Sequence, residues 1–183
     1  MNANSNVNVH LRRMTFAAVV AALYAALTLV LAPISYGPVQ FRISEVLCIL
    51  PFFIPSSTWG LVVGCVVANL IGGNGILDVV FGSFATLVAG VATSLIPNKP
   101  LACLPPAVAN GLIVGAVLAK VLTPDAFAAS FPLFALEVFA GEAAVLFIIG
   151  LPLMYLLPRV NVFRKMVEDL GGKRGLSRIE NKR

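Results

Sequence analysis

The amino-acid sequence predicts an all-α integral membrane protein, a six-transmembrane-helix bundle with both termini in the cytoplasm. Its composition is the first indication, because 59% of the 183 residues are hydrophobic, 11% are charged and the mean hydropathy is +0.95. A soluble domain carries about 25% charged residues. The second is the spacing of the charges, which are absent between Arg13 and Arg42 and again between Glu45 and Asp78. One membrane span needs about 20 apolar residues, so six spans leave no room for a soluble catalytic domain.

The segments follow from the apolar runs and from the residues that interrupt them. Pro33 ends the first run, and Pro55-Ser56-Ser57 divides the second stretch into two shorter helices, of which the first is too short to cross a membrane upright. Gly72-Gly73-Asn74-Gly75 predicts a turn, and Pro97 and Pro124 mark two later breaks. The predicted helices cover about residues 14–33, 45–55, 57–71, 76–96, 101–122 and 132–157.

The distribution of positive charge predicts the domain organisation and the orientation. Residues 1–13 are expected to form a disordered polar leader, 14–158 the membrane domain and 159–183 a basic cytoplasmic tail. The tail holds eight of the 13 Lys and Arg residues, which favours a solvated end near anionic lipid over nucleic-acid binding. With the N-terminus in the cytoplasm, eleven Lys and Arg residues lie inside, and Arg42 and Lys120 lie outside. The positive-inside rule therefore predicts a multi-pass protein of the cell membrane with both ends inside.

Polar residues from distant parts of the sequence share the predicted outer side of the membrane. An ionisable side chain within a membrane costs at least about 2.5 kcal/mol and usually faces a cavity or a partner. Two bland alternatives remain open: Glu45 and Asp78 each open a helix and could cap its N-terminus, and Arg42 could simply pair with Glu45. The candidate ligand-binding residues are Gln40, Phe41, Arg42, Glu45, Asn69, Asn74, Asp78, Glu137 and Glu142.

The charge of this set indicates the class of ligand. A pocket with several carboxylates and one arginine suits a neutral or cationic molecule with several hydrogen-bond donors, and it suits a phosphate poorly. A carboxylate can accept two N–H bonds from one edge of a molecule, as at the Watson–Crick edge of a guanine.

Small residues recur every fourth position on three of the predicted helices. Such stripes let two helix backbones approach closely. The stripes Gly60, Gly64, Ala68 and Gly111, Gly115, Ala119 are explained by packing inside the bundle. The first span has two adjacent stripes, more than one internal contact requires, and this favours a partner protein there. The candidate partner-binding residues are Ala17, Ala21 and Ala25 on one stripe and Ala18, Ala22 and Ala26 on the next.

Metal binding, ATP binding and catalysis have little support in the sequence. Cys48, Cys65 and Cys103 lie in or beside apolar runs without metal-ligand spacing, which predicts buried inert thiols. His10 lies outside the predicted bundle, and no G-x-x-x-x-G-K-[ST] sequence for ATP is present. We therefore expect no metal, no cofactor and no catalytic residues. Two rival functions remain: a small proton-coupled exporter of cationic compounds, and an intramembrane enzyme using Glu137 and Glu142.

Three motifs carry a resemblance to a known family: YGPVQFRISE at 36–45, ANLIGGNGILDVVFGS at 68–83 and GEAAVLFIIGLPL at 141–153. Over about residues 14–158 the chain resembles the QueT family, substrate-binding S-components of energy-coupling factor (ECF) transporters assigned to queuosine-precursor uptake.

The resemblance implies a substrate, partners and a division of labour. The substrate would be queuine or 7-aminomethyl-7-deazaguanine, bound outside the cell. Import would be driven by an ECF membrane coupling protein and two ATPase subunits on separate chains. The alanine motif of the first helix would meet the coupling protein. The implied pocket lies at the outer helix ends, matching Arg42, Glu45, Asn74, Asp78, Glu137 and Glu142.

Overall fold

The structure, a computed structural model, describes residues 3–36, 41–73 and 75–180, and within these ranges the chain is helical and contains no β-strand. In chain order the helices are α1 (Ala3–Val30), α2 (Ala32–Ser35), α3 (Ile43–Phe53), α4 (Ser57–Gly72), α5 (Asp78–Leu95), α6 (Lys99–Leu122), α7 (Pro124–Arg159), α8 (Asn161–Leu170) and α9 (Gly172–Glu180). Three of these helices, α3, α5 and α7, combine α-helical turns with tighter or wider ones.

Four of the helices are long and apolar enough to cross a membrane: α1 from Asn8 onward, α5, α6 and α7. The predicted helices 45–55 and 57–71 correspond to α3 and α4, which are apolar but shorter. Six spanning helices and the orientation thus remain predictions, whereas the all-helical fold is confirmed. The predicted start of the last span at residue 132 is wrong, because the helix begins at Pro124 and continues through Pro132.

Both chain ends differ from the sequence prediction. Helix α1 begins at Ala3, so residues 3–13 extend the first span as helix and do not form a disordered leader. The predicted solvated tail folds into α8 and α9, because both helices carry an apolar face that packs against the bundle. Arg12 lies 3.2 Å from a carboxylate oxygen of Asp169 in an exposed ion pair, and Arg13 donates to the Leu170 carbonyl at 3.1 Å. The polar start of α1 and helix α8 therefore stabilise each other.

Close backbone approaches between small residues set the helix packing. A Cβ built on Gly64 would lie 2.8 Å from the Ala21 carbonyl oxygen, and one on Gly60 would meet the Ala17 carbonyl. Helix α4 thus packs its glycine stripe directly against α1, which confirms that this stripe is used inside the bundle. A Cβ on Gly115 would lie 2.6 Å from the Cα of Ala135, so the stripe of α6 packs in the same way against α7.

The bundle has two distinct ends. At the site end, α3 and α5 begin and α4 finishes; at the tail end, α3 and α5 finish and α8 and α9 pack. The turn at the site end contains Gly73 and Gly75 with φ of 70° and 88°, a left-handed conformation that favours glycine. The predicted Gly-Gly-Asn-Gly turn is therefore confirmed, and it brings the last residues of α4 next to Asp78.

Candidate functional site

Glu45 lies in the first turn of α3, fully buried, and both of its carboxylate oxygens are occupied. The Tyr24 hydroxyl of α1 donates to Oε1, and the Cys48 thiol donates to Oε2 at 2.9 Å. One residue earlier on α3, the Ser44 hydroxyl shares a hydrogen bond of 2.6 Å with Thr28 of α1. Because α3 starts with polar residues that face α1, these contacts fix the start of the short helix against the first span.

Glu142, in the middle of α7, is the second buried carboxylate and is only 1% exposed. The Asn110 amide of α6 donates to its Oε1 at 3.1 Å. Its Oε2 is buried and accepts no hydrogen bond within the described chain. A buried polar oxygen without a hydrogen-bond partner is costly, so this atom is a candidate contact for a ligand.

The helix that carries Glu142 widens directly after it. Residues Leu146–Gly150 form a π-helical turn, and Pro152 follows without an N–H group to donate. A second π-helical turn, Asp78–Gly82, opens α5. Such turns are rare in helices and are frequent at functional sites.

Arg42 links the carboxylates electrostatically. Its side chain is 5% exposed, its guanidinium carbon lies 5.5 Å from the centre of the Tyr36 ring, and its Nε has no hydrogen-bond partner among the described residues. It interacts electrostatically with Glu45, Glu142 and Asp78. One guanidinium group thus interacts electrostatically with acidic side chains from three helices, α3, α5 and α7.

Asn69 closes this group at the end of α4. Its amide donates to the backbone carbonyl of Asp78 at 3.0 Å, whereas its side-chain oxygen is buried without a partner in the described residues. Asn69 also lines a cavity of about 300 Å³ beside the turn that contains Gly73 and Gly75. We name the set Arg42, Glu45, Asn69, Asp78, Asn110 and Glu142 the polar cluster.

The sequence predicted most of this cluster but not all of it. Glu137 is half-buried with an unpartnered Oε2, and Phe41 is half-buried; neither has a side-chain bond to the polar cluster within the described chain. Gln40 and Asn74 lie outside the described residues. Neither Glu45 nor Asp78 caps its helix with a side-chain hydrogen bond, so the capping alternative is not supported in the described chain.

Three hydrogen-bonding partners of the carboxylates were not predicted from the sequence: Tyr24, Cys48 and Asn110. Two signals were present: Tyr24 and Thr28 are polar residues four apart in an otherwise apolar helix, and Asn110 interrupts the apolar run of α6. The three cysteines are free and buried as predicted, but Cys48 is also a hydrogen-bond donor to Glu45.

The two alanine stripes of α1 face different surroundings. Ala17 and Ala21 meet the glycines of α4, and Ala25 is buried, whereas Ala18, Ala22 and Ala26 are exposed. The first stripe therefore packs against α4 inside the bundle. The second is the one that remains accessible to a partner.

Two grooves larger than the cavity beside Asn69 lie outside the polar cluster. One of about 650 Å³ runs between α1 and α8 and includes Leu11, Thr15 and Val19; another of about 460 Å³ lies between α5 and α6. Both are almost entirely apolar, as expected of surfaces that face lipid or protein. Their size carries less weight than the buried charges, because apolar grooves offer nothing to recognise a polar ligand.

The comparisons with known proteins agree with this description. The family model described as QueT transporter matches residues 14–159. The chain is similar to a protein of Lactococcus lactis subsp. cremoris (strain MG1363) named queuosine precursor transporter QueT, with 42% identity over 73 residues. That match covers 39% of this chain and 43% of the relative, so the chain matches less than half of the relative's length. No solved structure matches the chain.

Because the family model covers most of the sequence, including every residue of the polar cluster, the chain belongs to the QueT transporter family.

Proposed function

We propose that this protein is the substrate-capture subunit, or S-component, of an ECF-type transporter and that the polar cluster binds a queuosine precursor. The observation that carries the proposal is the buried Glu142 Oε2, which has no hydrogen-bond partner among the described residues and belongs to a carboxyl group that interacts electrostatically with Arg42. A transporter for queuosine precursors handles deazaguanines, and these present N–H donors that such an oxygen accepts.

The proposed contacts follow from the donors and acceptors of each side. The Watson–Crick edge of a 7-deazaguanine offers two neighbouring N–H groups and one carbonyl oxygen. Glu142 Oε2 and the Asn69 side-chain oxygen are buried acceptors, and Arg42 Nε is a buried donor. Glu45 is saturated by Tyr24 and Cys48, so we assign it to orienting α3 and to balancing the cationic amine of the precursor.

The partner surface is assigned to the exposed stripe of Ala18, Ala22 and Ala26. On the helix surface this stripe continues into the groove between α1 and α8 through Leu11 and Thr15. A second apolar helix can approach closely where the side chains are methyl groups. We infer that the membrane coupling protein of the transporter binds here, with its two ATPase subunits supplying the energy for import.

Ligand binding by the purified protein tests the first part. Isothermal titration with queuine, 7-aminomethyl-7-deazaguanine, guanine and adenine should give binding for the deazaguanines and much weaker binding for adenine, whose donor pattern at this edge is reversed. Adenine binding as tightly as queuine would refute the carboxylate pocket.

Uptake in cells tests the second part. Uptake of labelled queuine should require co-expression of the coupling protein and both ATPases. Uptake by this chain alone would overturn the S-component assignment, and proton-driven efflux of a cationic compound by this chain alone would favour the exporter alternative.

A further inference from the structure

The C-terminal helix α9 docks on the tail end of α3 through one face. Gly171 directly precedes α9 and accepts a hydrogen bond from the Gly175 N–H at 3.2 Å, so Gly171, Gly175 and Arg178, spaced four and three residues apart, lie on one side of the helix. A Cβ built on Gly171 would lie 2.6 Å from the Phe53 carbonyl oxygen, and one on Gly175 would meet the same oxygen. Only residues without a side chain allow this approach.

Arg178 connects the last turns of two neighbouring helices, α3 and α5. It is 7% exposed; its Nη1 donates to the Phe52 carbonyl and its Nη2 to the Ser94 carbonyl at 2.9 Å. Its guanidinium carbon also lies 4.3 Å from the centre of the Phe52 ring. Phe52 and Ser94 are in the last turns of α3 and α5, where carbonyl groups lack a partner within their own helix and the helix dipole favours a cation.

These two helices begin with acidic members of the polar cluster. Glu45 opens α3 and Asp78 opens α5. On α3, Glu45, Cys48 and Phe52 follow one another at three and four residues, so one face of the helix runs from Arg178 to the carboxylate. A short helix moves as a rigid body, and a displacement of its last turn is passed to its first.

We propose that α9 is a clamp, in which Arg178 joins the tail ends of α3 and α5 and thereby positions Glu45 at the site end for ligand binding. The binding part of this inference rests on the proposed function, whereas the positioning of α3 does not. Arg178 is a positioning residue and does not touch the ligand.

The test compares Arg178→Met with Arg164→Met in the full-length protein. Arg164 is a matched control, because it lies in the same C-terminal segment and its side chain makes only an exposed ion pair among the described residues, with Glu168 at 3.7 Å. Two quantities are measured: the Kd for queuine and the rate at which N-ethylmaleimide alkylates Cys48 in the ligand-free protein, with Cys65 on α4 as the internal reference. Both thiols are fully buried.

Arg178→Met removes the two charge-assisted hydrogen bonds that hold the last turns of α3 and α5. Because α3 then holds Glu45 less firmly in its binding position, we expect the Kd to rise by about tenfold or more. Cys48 alkylation should accelerate by a similar factor while Cys65 and the Arg164→Met protein stay at the wild-type rate. Equal acceleration at both thiols would mean general loosening and would overturn the clamp, as would unchanged values at both readouts.

Arg178→Lys keeps the inference testable if the Met variant does not fold. Lysine keeps the charge but not the planar fork that reaches two carbonyls, so intermediate values are expected, and wild-type values would overturn the two-helix clamp. If the wild-type protein binds no deazaguanine and Cys48 alone still becomes reactive in the Arg178 variants, the clamp stands and the proposed function falls.

Discussion

The substitution Glu142→Gln separates ligand recognition from stability. Glu142 accepts one hydrogen bond from Asn110 at Oε1 and has an unpartnered Oε2. A glutamine of the same shape keeps its oxygen toward Asn110 and turns its amide group toward the ligand position. A donor then stands where the ligand needs an acceptor, and the negative charge is removed.

The two effects have opposite signs. A hydrogen bond to a charged group contributes about 1.5–3 kcal/mol, so the Kd for a deazaguanine should rise about ten- to hundredfold. The ligand-free protein should be at least as stable as wild type, because the variant no longer buries a carboxylate that interacts unfavourably with Glu45. Lower affinity with an unchanged or higher Tm is the expected signature.

Glu45→Gln is the matched control. Both oxygens of Glu45 accept hydrogen bonds, from Tyr24 and from Cys48. The amide group of glutamine must then face one of these donors, so the ligand-free protein itself loses a buried contact. We expect this variant to lose stability as well as affinity.

Isothermal titration of purified protein with queuine measures the Kd, and thermal unfolding in the same detergent measures the Tm. If Glu142→Gln binds queuine as tightly as wild type, the assignment of Oε2 to the ligand is wrong. If the two variants change Kd and Tm in the same way, the distinction between the saturated and the available carboxylate is wrong.

Three further predictions concern the partner surface, the packing and the orientation. Ala22→Trp should abolish uptake and leave queuine binding intact, whereas Ala21→Trp should lower the Tm; loss of binding in both would place the partner surface elsewhere. Gly64→Ala should cost about 1–3 kcal/mol in unfolding free energy, because its Cβ would lie 2.8 Å from the Ala21 carbonyl; Gly73→Asn, with open space around it, should cost less, and equal costs would contradict the packing argument. A cysteine introduced at Ser177 should resist an impermeant thiol reagent in intact cells, and labelling from outside would reverse the orientation.

The sequence was sufficient for the parts of the fold that depend on composition and on local breaks. Apolar runs bounded by Pro and Gly located α4 and the turn after it, and the small-residue periodicity predicted that the glycine stripes of α4 and α6 pack inside the bundle, but not that α4 packs against Ala17 and Ala21 of α1. The structure of the two chain ends could not be predicted in this way. Residues 3–13 and 161–180 are polar on average, and their structure depends on contacts between the two segments, such as Arg12 with Asp169.

For the site, periodicity and membrane depth located the charged residues but not their partners. Glu45 and Glu142 are alike in sequence terms, as single carboxylates in apolar surroundings. Their difference arises because Tyr24 and Cys48 reach the first, and Asn110 alone reaches the second. Such pairings join residues 21 and 32 positions apart, and a single sequence does not specify which side chains meet across helices.

Which buried polar atoms have a hydrogen-bond partner is therefore more informative about this site than which charged residues it contains. Leaving a buried donor or acceptor unpaired costs about 1–3 kcal/mol, and more for a charged group. In the polar cluster the unpaired atoms are Arg42 Nε, the Asn69 side-chain oxygen and Glu142 Oε2, one donor and two acceptors contributed by three different segments. A structural network would have paired the donor with an acceptor, because Arg42 and Glu142 already interact electrostatically. Under the proposed function, a flat heterocycle with two donors and one acceptor on one edge has the complementary pattern.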